Sequence, residues 1–363
     1  MMDEFLDKKL GERREKNALR VLKNPSGQID FCSNDYLGIA TQTKLSIHQH
    51  SPLKTGSTGS RLLSGNYPLI EETESLIAKF HNASAALIFN SGYDANIGIM
   101  SSVPQKNDTI LYDYLSHASL RDGIRLSFAT AHSFLHNDLG DLEKKLQHAT
   151  GNIFVITESI FSMDGDEAPL PQIAALCKTY KANLVVDEAH ATGLVGPKGA
   201  GLIQKHQLEN DCFARIHTFG KALGCHGAAI LGSEKLRQYL INFSRPFIYT
   251  TAMPPSAVAE VKSTYHVFPT METERKQLVN LTRQFRSETT RLRTIDSQSP
   301  IQAVIIPGNE EVKKKAEILQ KNNLDIRPIL YPTVPKGEER LRIVLHAFNS
   351  GEEISTLTRL LNS

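Results

Sequence analysis

Short runs of apolar residues punctuate the middle of the chain. AALIF (85–89), TILY (109–112), NIFVIT (152–157), NLVVD (183–187) and AAIL (228–231) are rich in Val, Ile and Leu and lack polar alternation. That pattern belongs to strands covered on both faces. Helix-like spacing fills the intervals at 93–101, 116–126, 138–148 and 170–181. Strands alternating with helices predict βαβ units and a mostly parallel sheet, so the expected class is α/β. Residues 41–250 read as one large domain on this basis.

Beyond residue 254 the texture changes. Two helical stretches (255–266 and 271–293) precede an apolar run at 302–306 and a charged helix at 310–322. Two more strand-like runs (324–330 and 341–345) and a last helix (351–362) follow. Residues 251–363 therefore predict a smaller α+β domain. Residues 1–40 predict an N-terminal helix and arm, the helix packing on that domain or on a partner subunit.

The length of 363 residues suits about two domains. A formal net charge of +2 gives no sign of a nucleic-acid or acidic-membrane partner. The charged start MMDEFLDKKLGERREK lacks the apolar run of a signal peptide, and no stretch of apolar residues is long enough to predict a spanning helix. Cys32, Cys177, Cys212 and Cys225 form no C-x-x-C pair. They read as reduced thiols, and the expected location is cytoplasmic.

In open α/β sheets ligands sit beyond the carboxyl ends of the strands, and five residue clusters fall there. After the first strand come Asn90-Ser91-Gly92-Tyr93, where a helix N-terminus could take a phosphate or simply make a βα turn. After the second come Ser116-His117-Ala118-Ser119, with a ring that could stack on an aromatic cofactor or lie idle on a loop. After the third come Glu158 to Asp166, acidic and hydroxyl-rich, with an Asp-Gly turn signal. Asp187 ends a very apolar strand, and a carboxylate there needs a cationic partner such as a protonated pyridine nitrogen. The Asp187-Glu188-Ala189-His190 run also occurs in helicases, but no G-x-x-x-x-G-K-[ST] phosphate loop accompanies it. Lys221 stands among small residues, 34 positions after Asp187. Such a lysine loses its charge readily, and a lysine Schiff base with an aspartate partner is how proteins hold pyridoxal phosphate. His48-x-His50 lacks a further ligand at metal-site spacing, so no metal is expected.

The ordered motifs SGY, LSHASLRDG, ESIFSMDGDEAPL, DEAHATG and HTFGKA resemble those of the α-oxoamine synthases, pyridoxal-phosphate enzymes of the aspartate-aminotransferase-like fold (fold type I). FCSNDYLG (31–38), GSTGSRLLSGN (56–66), IYTTAMPP (248–255), YPTVPKGEERLRI (331–343) and ALR (18–20) extend the resemblance over essentially the whole chain. It implies decarboxylative condensation of an amino acid with an acyl thioester. PTVP (332–335), RLLSGN and ALR favour the branch that joins L-alanine to pimeloyl-CoA or a pimeloyl carrier protein in biotin biosynthesis. Relatives using glycine or serine, and aminotransferases, remain alternatives.

Residue by residue, the resemblance implies that Lys221 carries the cofactor and acts as base, that Asp187 pairs with the pyridine nitrogen, and that His190 supports the phenolic oxygen. Gly92 and Tyr93 contact the cofactor, Ser162 and Thr218 approach its ring and phosphate side, and His117 stacks on the ring and faces substrate. Thr250 or Thr251 is implied to reach the phosphate of a neighbouring subunit, which makes a homodimer the expected unit. Asn34 and Arg342 are implied holders of the amino-acid carboxylate, with Arg20 and Thr333 on the acyl substrate. The chain departs from the pattern at His217, at Cys225-His226 and in a short 41–54 stretch.

Overall fold

The computed structural model describes residues 3–22, 27–41 and 54–363. The 41–54 stretch and the His48-x-His50 pair thus fall largely or wholly outside the described residues. Contacts divide the chain into two units. The larger holds Leu37–Ser162 and Glu167–Arg275; the smaller holds the described part of Met1–Tyr36, Met163–Asp166 and Lys276–Ser363. The boundary expected at 250/251 thus moves to 275/276. The reason is a packed pair of helices, Pro68–Phe80 (α1) and Pro255–Val267, both of which belong to the larger unit.

The larger unit is built on seven strands: β1 (Ala85–Phe89), β2 (Thr109–Asp113), β3 (Thr130–Phe134), β4 (Ile153–Glu158), β5 (Asn183–Asp187), β6 (Cys212–Thr218) and β7 (Ala228–Gly232). Their spatial order is β1-β7-β6-β5-β4-β2-β3. Only β7 runs against its neighbours, so the carboxyl ends of β1, β4, β5 and β6 open on one side. Every residue of β4 is buried, as a strand covered on both faces requires. Helices α2 (Gly92–Ser102), α3 (Ala118–Arg125), α4 (Leu139–Leu146), α5 (Leu170–Thr179), α6 (Glu234–Phe243) and α7 (Pro255–Val267) complete the unit. A core of Phe89, Ile99, Leu120, Phe154, Ile156, Ile216, Ile230 and Leu236 joins the strands to α2, α3 and α6. Each such side chain contributes about 1.5–3 kcal/mol of burial.

In the smaller unit, α8 (Glu272–Glu288, its first turn still in the larger unit) is followed by β8 (Ile301–Ile305), α9 (Asn309–Lys321), β9 (Arg327–Ile329), β10 (Arg340–Val344) and α10 (Gly351–Asn362). The strands form an antiparallel sheet in the order β9-β10-β8. The helix expected to 293 stops at Glu288. The single run expected at 324–330 splits in two: Leu324–Asp325 pairs in parallel with Ile29–Asp30, and β9 pairs with β10. The N-terminal helix expected within 1–40 spans Asp7–Glu15 and buries no residue. The turn after it is tied to α9, because the Asn309 side chain donates to the Lys16 carbonyl at 3.1 Å and Lys313 Nζ to Asn17 Oδ1 at 2.6 Å. No described helix is long and apolar enough to cross a membrane. All four cysteines are free.

Candidate active site

A cavity of about 240 Å³ opens at the carboxyl ends of β4, β5 and β6. It is lined by Gly92, Tyr93, Asn96, His117, Ser119, Glu158, Asp187, His190, Thr218 and Lys221, among others. Four of the five sequence clusters thereby supply residues to one space through their expected positions, and the Glu158 cluster does so through Glu158 itself.

Asp187 is the last residue of β5 and is almost wholly buried. Its Oδ1 accepts the Ala189 N–H at 2.9 Å and its Oδ2 accepts the Asn96 side-chain N–H at 2.8 Å. These bonds fix a carboxylate at the end of a largely apolar strand. Lys221 Nζ lies 2.8 Å from His190 Nε2. A charged ammonium has protons only to give, so the imidazole nitrogen is the acceptor.

His117 caps α3. Its Nδ1 accepts the Ser119 backbone N–H at 3.2 Å and lies 2.7 Å from Ser119 Oγ. Its own backbone N–H donates to Glu158 Oε1 at 2.6 Å. Burial, with Lys221 adding to it, holds the imidazole below its ordinary value, and the Asp187 charge opposes this. Burial first, then the same Asp187 charge, pushes the Glu158 carboxyl well above the usual range, against Lys221 and the His117 N–H. Burial and the neighbouring Asp187 thus favour the protonated form of Glu158.

Gly92 opens α2 behind Ser91, whose Oγ accepts the Asp94 N–H at 3.0 Å. A methyl on Gly92 would come within 2.5 Å of Thr218 Cγ2, so glycine is dictated by close approach. Tyr93 is partly exposed, and its hydroxyl donates to Asp122. Thr218 Oγ1 and Asn96 Oδ1 are buried with no partner, both on residues that line the cavity.

These features were tested against the group the motifs imply. The orphaned Thr218 hydroxyl and the first N–H groups of α2 suit an anion such as a phosphate. The buried Asp187 carboxylate suits a protonated ring nitrogen, and the Lys221 amine suits an aldehyde. The donor set fits pyridoxal phosphate.

Other expected residues lie apart from this lining. Ser162 and Thr251 are not among the lining residues. The Asn90 side chain donates to Thr250 Oγ1 at 3.1 Å and to the Thr251 carbonyl at 2.8 Å. In the smaller unit, Arg342 donates to Asn34 Oδ1 at 3.0 Å, and Arg20 lies 3.5 Å from Thr333 Oγ1. Both pairs drawn from distant sequence positions therefore meet in space. His217 turns away from the cavity into the interior, with Nδ1 2.8 Å from Thr192 Oγ1 and its ring 3.9 Å from that of His81. Of the departures from the motif pattern among the described residues, only His226 lines the cavity.

Asn96, Ser119 and Glu158 are lining residues that sequence reasoning did not single out. Glu158 and Ser119 stood inside quoted motifs. Asn96 carried no signal of its own in the sequence.

The aminotransferase class I and II family matches residues 26–360, and the chain belongs to that family. A curated relative, the 8-amino-7-oxononanoate synthase of Emericella nidulans, is 40% identical over 382 residues, covering 96% of this chain and 92% of the relative. A solved structure of SPT with PLP superposes with a TM-score of 0.91 at 26% identity, over 99% of this chain and 97% of its own. The 8-amino-7-oxononanoate synthase structure from Francisella tularensis gives 0.78 at 28% identity, over 93% and 97%. The resemblance drawn from the motifs and the fold type I architecture stand with these matches.

Proposed function

We propose that this chain is a pyridoxal-phosphate-dependent acyltransferase that condenses L-alanine with a pimeloyl thioester. The products are 8-amino-7-oxononanoate, carbon dioxide and the free thiol, a step of biotin biosynthesis. The observation that carries the proposal is the convergence of Lys221, Asp187, His190 and His117 on one cavity. It occurs in a chain that aligns over nearly its whole length with a relative bearing that activity's name.

When bound, pyridoxal phosphate supplies an aldehyde for amine attachment and a ring that accepts the electron pair left at the amino-acid Cα. Lys221 Nζ is the amine of attachment. When not engaged with the cofactor, the same nitrogen would be the general base for the α-proton of alanine. Asp187 keeps a negative charge in the cavity where a ring nitrogen must stay protonated. His190 orients the lysine amine through the 2.8 Å contact. Thr218 and the N-terminus of α2 hold the phosphate. His117 presents a neutral ring with a donor nitrogen, suited to polarise a thioester carbonyl. In the smaller unit, Arg342 beside Asn34 offers a guanidinium fork for a carboxylate, and Arg20 beside Thr333 offers another for the pimeloyl end. Thr251, with Thr250, is assigned to the phosphate of a second subunit in a homodimer. Free cysteines fit a reducing compartment such as the cytoplasm.

The test is thiol release from the cofactor-loaded protein with pimeloyl-CoA and, in parallel, alanine, glycine and serine. Release with alanine alone, with carbon dioxide, is the expected result. Release only with glycine or serine moves the substrate within the family. Amino-group exchange without thiol release overturns the reading in favour of an aminotransferase. Release only with a pimeloyl carrier protein reassigns the donor.

A further inference from the structure

The cavity contains a hydrogen-bond chain whose polarity can be read from end to end. Asn96 sits on α2, 2% exposed, and its Nδ2 lies 2.8 Å from Asp187 Oδ2 and 2.9 Å from Ser119 Oγ. The amide cannot be turned over, because that would set its oxygen against an ionised carboxylate, which has only acceptors. Asn96 therefore spends both N–H groups, one on Asp187 and one on Ser119.

Ser119 Oγ accepts from Asn96 and keeps one proton to give, and His117 Nδ1 lies 2.7 Å from it. The same Nδ1 also faces the Ser119 backbone N–H at 3.2 Å. Two donors converge on one ring nitrogen. A backbone N–H can only donate, so a proton on Nδ1 would meet it head-on; the lone pair stays there and takes the Ser119 hydroxyl proton as well.

We propose that Asn96 and Ser119 are positioning residues that lock His117 as the neutral tautomer with its proton on Nε2. Asn96 couples this lock to Asp187, because one amide orientation serves both. His117 is then a hydrogen-bond donor through Nε2 and cannot act as a base through Nδ1. What it donates to, a thioester carbonyl, rests on the proposed function; the tautomer does not.

The charged and titratable groups acting on His117 are Asp187 on β5, Lys221 beyond β6, Asp122 on its own helix and the Glu158 carboxyl at the end of β4. Asp187 and Asp122 favour the cation, whereas Lys221 and burial oppose it. Loss of the Ser119 hydroxyl removes a donor that only the neutral ring can accept. The ring should then protonate more readily.

The experiment is nitrogen NMR of ¹⁵N-histidine-labelled protein, with His117→Gln identifying the His117 ring signals. The wild type should show one tautomer, a bare Nδ1 and a protonated Nε2. Ser119→Ala and Asn96→Ala should mix the tautomers and move the ring's titration to higher pH, while Ser119→Thr should restore the wild-type spectrum. Thiol release in Ser119→Ala should fall about 3- to 10-fold in kcat, the worth of one hydrogen bond, with the alanine KM little changed. A wild-type ring carrying its proton on Nδ1 overturns the proposal even if every variant misfolds. So do Ala variants that leave the ring spectrum unchanged. The spectra need no substrate, so a protein with the tautomer but no thiol release would sink the proposed reaction and leave this inference standing.

Discussion

At the scale of the residue, two carboxyl groups share one cavity in different surroundings. Asp187 is anchored by two N–H donors, whereas Glu158 accepts a single backbone N–H and is pushed up by burial and by Asp187 itself. This difference supports the proposal that Asp187, and not its neighbour, is the partner of the ring nitrogen. Lys221 is the amine within 2.8 Å of an imidazole acceptor. Lys221→Ala is expected to abolish the visible absorbance of covalently held cofactor and to lower turnover by about 10²–10⁴-fold, the usual contribution of a positioned base. Absorbance spectra and thiol release check it; a variant that keeps both would remove Lys221 from the mechanism. Asp187→Asn keeps the shape of the side chain but loses the charge, so cofactor can still bind while turnover falls steeply. Full activity in that variant would break the pairing. The sequence made Asp187, His117 and His190 legible because each stands at or just past the end of a strand visible as an apolar run, and Lys221 by its small neighbours and its spacing from Asp187. Asn96 was not legible, because its role depends on facing Asp187 across 91 positions of sequence.

At the scale of the element, legibility followed burial. Strands β1, β2, β4, β5 and β7 were visible as apolar runs because both faces are covered. β3 (TAHSF) was missed: it lies at the sheet edge with its first three residues exposed, so nothing selects for apolar side chains. β6 (CFARIHT) was missed for the opposite reason. It carries Arg215 and His217 into the interior, where Glu188 and Thr192 meet their charge and polarity. Helices α1 and α6 were also missed, although α1 has a clear apolar face of Ile70, Ile77 and Ala78. The junction of β1 and α2 yields a sharp prediction. Gly92→Ala places a methyl 2.5 Å from Thr218 Cγ2 at the start of the helix assigned to the phosphate. The backbone there is open to any residue, so the fold should survive while cofactor affinity falls. Titration of the apoprotein with pyridoxal phosphate should show a weaker Kd, and an unchanged value would detach this junction from the cofactor. Gly165 differs, since its φ is +76° and a methyl would lie 2.2 Å from the Ile301 carbonyl within the smaller unit. Gly165→Ala is expected to cost about 1–3 kcal/mol in stability, seen as a lower Tm.

At the scale of the whole molecule, sequence texture and contacts mark different borders. The break in texture at 254 marks the end of the α/β alternation, whereas contacts keep α7 with α1 and move the border to 275. The larger unit also holds a buried polar layer that ties pH to stability. His81 is wholly enclosed, with Nδ1 near the Ala200 carbonyl and Gln204, Nε2 against the Tyr265 hydroxyl and its ring on His217. Burial, aided by the Arg215 charge, lowers His81 from 6.5 to about 3, and His217 is lowered well below the same value. In the unfolded chain these rings take up protons near pH 6.5 that the folded chain refuses. Their contribution to stability is therefore present above that pH and lost as pH falls toward 3. Glu188 has the opposite sign. Burial raises it from 4.5 to about 7, against Arg215, so the folded chain keeps a proton that the unfolded chain gives up. Its contribution is present below pH 4.5 and lost as pH rises to 7. Between pH 4.5 and 6.5 the two slopes oppose one another, each worth about 1.4 kcal/mol per pH unit. Two histidines outweigh one glutamate, so acid should destabilise the wild type across this window. Glu188→Gln should steepen that loss by about 3 kcal/mol over the two units, and His81→Gln should relieve it by a similar amount. Urea unfolding of the three proteins at pH 4.5, 5.5 and 6.5 reads the slopes directly, whatever constant stability either substitution costs. Parallel pH profiles would mean that this buried layer does not titrate on unfolding, and the acid sensitivity of the larger unit would have to lie in its surface carboxylates.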